Sequence, residues 1–149
     1  MRLLTIKAAV MLLICLISCK QRDITIDVVR QSSDLMNCTK VFGYSAKKIE
    51  EENEILIQTG VFYAAGEGDD RQAAIIKVNH AERVLYLVVE KSISGEKTEL
   101  YEGEGYSLAL KYIEKPVGNH VIYDGRCRIR KGLVISEYNI EGEPNIHNY

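Results

Sequence analysis

Residues 83–113 read RVLYLVVEKSISGEKTELYEGEGYSLALKYI, and the reading of their middle decides the fold. At the two ends, "RVLYLVV" (83–89) and "YSLALKYI" (106–113) are strongly apolar. In the second, Tyr106, Leu108, Leu110 and Tyr112 alternate with Ser107, Ala109, Lys111 and Ile113, the period of a strand with one buried face. Between them, "KSISGEKTELYEGEGY" (91–106) carries charges, hydroxyls and three glycines over sixteen residues. A hairpin connection needs only about two to five residues. Composition therefore predicts a long polar loop here, displayed by the strands on either side.

The flanking sequence is mostly strand-like. "AAIIKV" (73–78) and "RVLYLVV" bracket Asn79–Glu82, which predicts a hairpin with a four-residue loop. "ILIQTGVFYAA" (55–65) is rich in β-formers but broken by Gly60. In "HVIYDGRCRIRKGLVI" (120–135), Asp124-Gly125 suits a type I′ turn. Beyond it Arg126, Arg128 and Arg130 alternate with Cys127 and Ile129, as on a solvated strand face. Ile24, Ile26 and Val28 give a weak period-2 signal. "SAKKIEEENEI" (45–55) is the one helix-like stretch, with Ser45 as its cap and Glu50–Glu54 on a solvated face. "EGEPNIHNY" (141–149) reads as a frayed tail. Short strands and tight turns predict a mainly β fold, a small antiparallel barrel or sandwich.

The N-terminus addresses the chain to an envelope. Arg2 and Lys7 precede an apolar run, Ala8 to Ile17, too short for a permanent transmembrane helix of about 20 residues. It ends in Leu16-Ile17-Ser18-Cys19, which looks like a bacterial lipobox. That resemblance implies that residues 1–18 are removed and that Cys19 is acylated by two or more chains, enough for a stable anchor. Cys15 leaves with the signal, so Cys38 and Cys127 remain as a pair in an oxidising compartment. A bridge between them would contribute about 4–5 kcal/mol in the chain-entropy model; the alternative is two buried thiols.

Several function classes are excluded or unsupported. Removing the signal leaves 17 Lys+Arg against 21 Asp+Glu, a formal charge of −4 where the whole chain has −2. That balance and the compartment argue against nucleic acid. No Cys/His spacing suggests zinc, and His80, His120 and His147 are scattered. "AGEGDD" (65–70) holds a lone Gly-x-Gly and opens no helix, so no phosphate loop or cofactor is implied. No nucleophile motif appears and no carboxylate pair stands out, so the chain reads as a binding protein and not an enzyme.

With compartment and scaffold in place, the Ser92-Ile93-Ser94-Gly95 stretch resembles the loop of the lipoprotein inhibitors of c-type lysozyme (MliC/PliC-like). That family carries Ser-x-Ser-Gly-x-x-Tyr followed by a strand ending Lys-Gly. Tyr101 takes the tyrosine's place if three extra residues are allowed after Gly95, and the spacing to Lys111 then agrees. The family tryptophan falls on Ala109 and the glycine after the lysine on Tyr112, two departures in a chain without tryptophan. The resemblance spans roughly residues 36 to 130. It implies an eight-stranded barrel, with early and late cysteines bridged as Cys38 and Cys127 would be. It also implies a loop that enters the lysozyme cleft, with Ser94 and Lys111 facing the two catalytic carboxyls. Gly95 would permit the sharp turn and Tyr101 would brace it.

The expected layout is a signal over 1–18, an acylated cysteine and spacer over 19–35, a barrel over 36–138 and a tail over 139–149. The expected partners are a c-type lysozyme and, through the anchor, a membrane of the bacterial envelope, the outer favoured over the inner. The alternative is an immunity or other protein-binding lipoprotein directed at a periplasmic toxin.

Overall fold

A computed structural model describes residues 23–29, 36–44, 55–62 and 70–145. The helix-like stretch over 45–54, the signal and Cys19 lie outside the described residues. The strands are β1 (Ile26–Asp27), β2 (Met36–Tyr44), β3 (Ile57–Phe62), β4 (Arg71–Val78) and β5 (Ala81–Ile93). They continue as β6 (Glu96–Gly103), β7 (Tyr106–Val117), β8 (His120–Lys131) and β9 (Val134–Pro144).

Neighbours in space run β4-β3-β2-β9-β8-β7-β6-β5, and β5 pairs back onto β4, so eight antiparallel strands close into a barrel. β1 continues the β3 side of β4 through Ile26↔Val78 and Asp27↔Lys77. A barrel of this strand number is filled by its own side chains. Here Phe42, Ile57, Ile76, Leu85, Leu108, Leu110, Ile129 and Ile140 are essentially inaccessible. Each such burial contributes about 1.5–3 kcal/mol.

The sixteen-residue polar stretch is not a loop. β5 runs on to Ile93, turns over Ser94-Gly95 and returns as β6, paired from Ile93↔Glu96 to Val89↔Leu100 and, past a register shift between Leu87 and Val89, from Leu87↔Tyr101 to Tyr86↔Glu102. Ser94 and Gly95 have φ of 50° and 84°, the left-handed pair that a two-residue type I′ hairpin requires. Glu104-Gly105 makes the second turn, with φ of 51° and 79°. The polar composition has a physical source. β6 points Glu96, Thr98, Leu100 and Glu102 outward, and its inward row also carries charge.

Two other turns fall elsewhere than the sequence suggests. The β4–β5 connection is the two residues Asn79-His80, both at positive φ, and not a four-residue loop. Asp124-Gly125 lies inside β8, opposite Ile113 and Tyr112. A Cβ at position 125 would stand 2.0 Å from the Lys111 carbonyl oxygen and 2.7 Å from Tyr112 Cα, so the glycine marks close strand approach. β9 extends to Pro144, into the stretch read as a tail, and Asn145 N–H still donates to the Thr39 carbonyl at 2.9 Å.

No disulfide joins Cys38 to Cys127. β9 lies between their strands, and along it Cys127 is level with Tyr138 whereas Cys38 lies beyond Lys40, itself level with Pro144, so the two are offset both across and along the sheet, well beyond the roughly 7 Å that a bridge spans. Cys127 sits in the main core opposite Tyr138, whereas Cys38 packs with Val41 and Ile55 in a separate cluster. The expected staple is replaced by two buried thiols. Burial pushes Cys127 up to about 12 and raises Cys38 as well, which keeps both protonated and unreactive at neutral pH.

The registers define two barrel ends. Turns 79–80, 104–105 and 132–133 mark one, here the base; turns 94–95 and 118–119 mark the other, the rim. Residues 24–29 strap the base. The Ile24 carbonyl accepts from Tyr138 OH at 2.9 Å and from Ser136 Oγ at 3.1 Å, while the Thr25 carbonyl accepts from Asn79 N–H at 3.0 Å. Ile24 and Ile26 enter the main core beneath them.

Candidate functional site

The β5–β6 hairpin gathers three of the sequence-predicted residues at the rim. Ser92 pairs with Lys97 near the end of β5, and Ser94-Gly95 form the turn itself. All three are exposed, and Ile93 between them is 69% exposed. The expected long polar loop is therefore a short tip on a two-residue turn, its arms paired in the ladder on both sides.

Tyr101 and Lys111 do not join that tip. Lys111 is half-buried on the outer face of β7, opposite Thr98 on one side and Arg126 on the other. With Ala109, Arg126, Arg128 and Glu137 it lines a shallow hollow of about 90 Å³. The small Ala109 side chain leaves this dip, and Glu137 pairs with Arg128. Tyr101 points into the barrel and is 2% exposed; its hydroxyl donates to Glu99 Oε2 at 2.7 Å. It braces the interior beneath the hairpin and does not touch the turn. Cys19 lies outside the described residues.

The interior contains a polar network that the sequence reading missed. Glu99 is 2% exposed and accepts from Tyr101, from Tyr112 OH at 2.6 Å and from the Lys40 ammonium. Lys40 Nζ also donates to Tyr112 OH at 2.8 Å and stands 5.3 Å from that ring's centroid. Phe42 and Tyr123 pack on Tyr112 at centroid distances of 5.5 and 5.2 Å. Above this cluster, Lys97 and Glu114 pair across β6 and β7 at the rim.

The electrostatics follow from those contacts. Burial alone would raise the Glu99 carboxyl, but donation from Lys40, Tyr112 and Tyr101 outweighs it and holds the group below the usual carboxylate range. Burial and the adjacent Glu99 carboxylate push both tyrosines strongly upward, so their hydroxyls remain donors. Two features could have revealed the site. Counting back through the Gly103–Gly105 turn from the apolar row of β7 places Glu99 inward. The alternation Lys40, Phe42, Tyr44 places a cation on the inner row of β2.

This arrangement ties β2, β6 and β7 together inside the barrel. Of this network, Tyr112 lines one of the surface hollows, beside Lys111, Asp124 and Arg126, and no cluster of metal-ligating side chains occurs among the described residues. The exposed chemistry is at the tip and on the outer faces. Comparison of the chain with known proteins finds no matching family model, curated protein or solved structure.

Proposed function

We propose that the protein is a lipid-anchored envelope protein that catalyses nothing and blocks a c-type lysozyme with its rim hairpin. The observation that supports this reading is the tip Ser92-Ile93-Ser94-Gly95, exposed at the end of a closed barrel on a two-residue turn. A thin tip of this kind fits a cleft, and its ladder-fixed backbone loses little conformational entropy on binding. The lysozyme cleft holds one protonated and one ionised carboxyl, a worked case of environment-tuned acidity. The Ser94 hydroxyl donates to one of them. Lys111, on the outer face below the tip, reaches the partner as the cleft walls close around the hairpin, where loss of water strengthens its charge-assisted bond.

A cell-wall clearance assay tests this directly, using the chain from Lys20 onward beside Ser94→Ala and Lys111→Ala. Inhibition by the wild type that weakens tenfold or more in a folded variant, a loss of at least about 1.4 kcal/mol, places the active surface on this hairpin. Absence of inhibition against every c-type lysozyme at micromolar protein overturns the reading and directs the search to periplasmic toxins.

A further inference from the structure

The base of the barrel carries a second surface, remote from the rim. Leu133, in the β8–β9 turn, is 91% exposed, and Ile135 on the outer face of β9 is 54% exposed. Arg130 pairs in register with Ile135 on one side and Ser107 on the other, and no carboxylate among the described residues neutralises it. Lys131 stands beside it, donating to Tyr106 OH at 3.3 Å, its ammonium 4.6 Å from that ring's centroid. Between this turn and the β6–β7 turn lies an open hollow of about 360 Å³, lined by Glu102, Tyr106, Ser107, Arg130 and the turn glycines. A leucine this exposed, beside a polar hollow and an arginine with no carboxylate partner among the described residues, is the pattern of a side chain that enters an apolar phase while its neighbours meet charged headgroups.

The course of the chain says what covers this surface. The strap over residues 24–29 is bound to the base of β9, where Ser136 and Tyr138 hold Ile24. Leu133 is only three residues from Ser136. The described chain begins at Asp23, four residues after Cys19, and four residues span at most about 14 Å. An acyl anchor on Cys19 therefore keeps the base within about 14 Å of the bilayer.

We infer that the base docks on the lipid surface, with Leu133 inserted at the acyl boundary and Arg130 on a headgroup phosphate. Glu102, across the hollow from Arg130, faces the ammonium of a phosphatidylethanolamine headgroup. Of the other acids at this end, Glu104 is taken by Arg83, Asp27 accepts from His80 N–H at 2.8 Å, and Glu82 belongs to the β4–β5 flank. Asp23 is carried on the tether itself. Docking in this sense fixes the tether's slack and holds the rim hairpin pointing away from the membrane. The inference rests on the acylation of Cys19.

The absence of tryptophan from the chain supplies the test. Leu133→Trp and Ile93→Trp place single indoles at base and rim, both at exposed positions where the fold tolerates them. The acylated, full-length mature protein is reconstituted in vesicles of phosphatidylethanolamine and phosphatidylglycerol, with and without brominated acyl chains. The Leu133→Trp indole is expected to shift to the blue and to be quenched at least about threefold more than the Ile93→Trp indole. Adding Arg130→Glu is expected to cut that quenching by about half, since the headgroup contact becomes repulsive. Mass spectrometry of the N-terminal peptide separates the two ideas. An unacylated Cys19 overturns the docking together with the anchor it needs. An acylated Cys19 with a water-exposed indole at position 133 overturns the docking alone, and quenching unchanged by Arg130→Glu overturns the headgroup assignment.

Discussion

β6 and β7 lie side by side, in register from Glu96↔Ile113 to Gly103↔Tyr106, yet they reach the same fold by different means. β7 turns Tyr106, Leu108, Leu110 and Tyr112 inward, all of them buried. Its alternation is a local signal, and burial rewards it wherever a second apolar surface is present. β6 turns Lys97, Glu99, Tyr101 and Gly103 inward. Glu99 becomes stable inside the barrel only when Lys40, 59 residues earlier in the chain, arrives on β2. The first strand is specified by its own pattern; the second is specified by the finished barrel. A charge that only one distant strand can satisfy also disfavours every other register of β2 and β6, because a wrong pairing leaves the carboxylate buried alone.

Removing the distant partner breaks this comparison most severely. Lys40→Met leaves the Glu99 carboxylate buried with only tyrosine donors, and the expected loss is about 3–5 kcal/mol in urea unfolding at neutral pH. Lys40→Met combined with Glu99→Leu is expected to recover most of it, since an apolar pair of similar volume removes the orphaned charge. Equal losses in the single and double variants would show that the pair is not energetically coupled. On β7 the matching change is Leu110→Ala, a cavity at a fully buried site, expected to cost about 2–5 kcal/mol. That loss should not depend on pH between 4 and 8 (roughly the range in which carboxylates and histidines titrate), and the β6 loss should.

The pH dependence sharpens the contrast further. The Glu99 carboxyl lies below its unfolded value, because the three donors outweigh burial. Its stabilisation is therefore complete above the unfolded value of about 4.3 and is lost as pH falls through the lowered native value. In Lys40→Met, burial dominates and raises the same group, so the sign reverses. Stability is then greatest below the unfolded value and declines as pH rises through the raised native one. Urea midpoints measured from pH 3 to 8 check both slopes. Parallel profiles for the two proteins would contradict the assignment of the charge to this pair.

The same contrast explains what could be read from the sequence. The alternation in "YSLALKYI" and the apolar runs in "AAIIKV" and "RVLYLVV" give strands, and strands joined by short turns give a small antiparallel fold. The polar middle of residues 91–106 hid β6 because strand recognition relies on apolar residues in the inward row, and that row contains Lys97 and Glu99. Asp124-Gly125 resembled a turn because glycine serves both tight turns and close backbone approach; only the neighbouring Lys111 carbonyl and Tyr112 distinguish the two. The cysteine pair fitted the order and the compartment expected from the sequence, but strand order places β9 between them. At the rim, composition gave Ser94 and Gly95 as part of a long loop and only the family resemblance implied a sharp turn at Gly95, whereas Lys111 and Tyr101 diverge because successive strand residues point to opposite faces.

The smallest expected effect separates the hairpin's geometry from its chemistry. Ser94 holds φ at 50°, a conformation asparagine adopts more readily, and Asn-Gly is the preferred type I′ pair. Ser94→Asn should therefore raise stability by about 0.5 kcal/mol through the turn alone, read as a higher urea midpoint at unchanged slope. The substitution also removes the hydroxyl that the proposed inhibition uses and puts a larger amide in its place. Binding and stability are then expected to move in opposite directions, with lysozyme inhibition weakened while the barrel becomes firmer. A gain in both would assign Ser94 to turn formation only and move the contact with the partner to Ile93 and its flanks. A loss in both would mean that the tip does not hold the two-residue turn in solution.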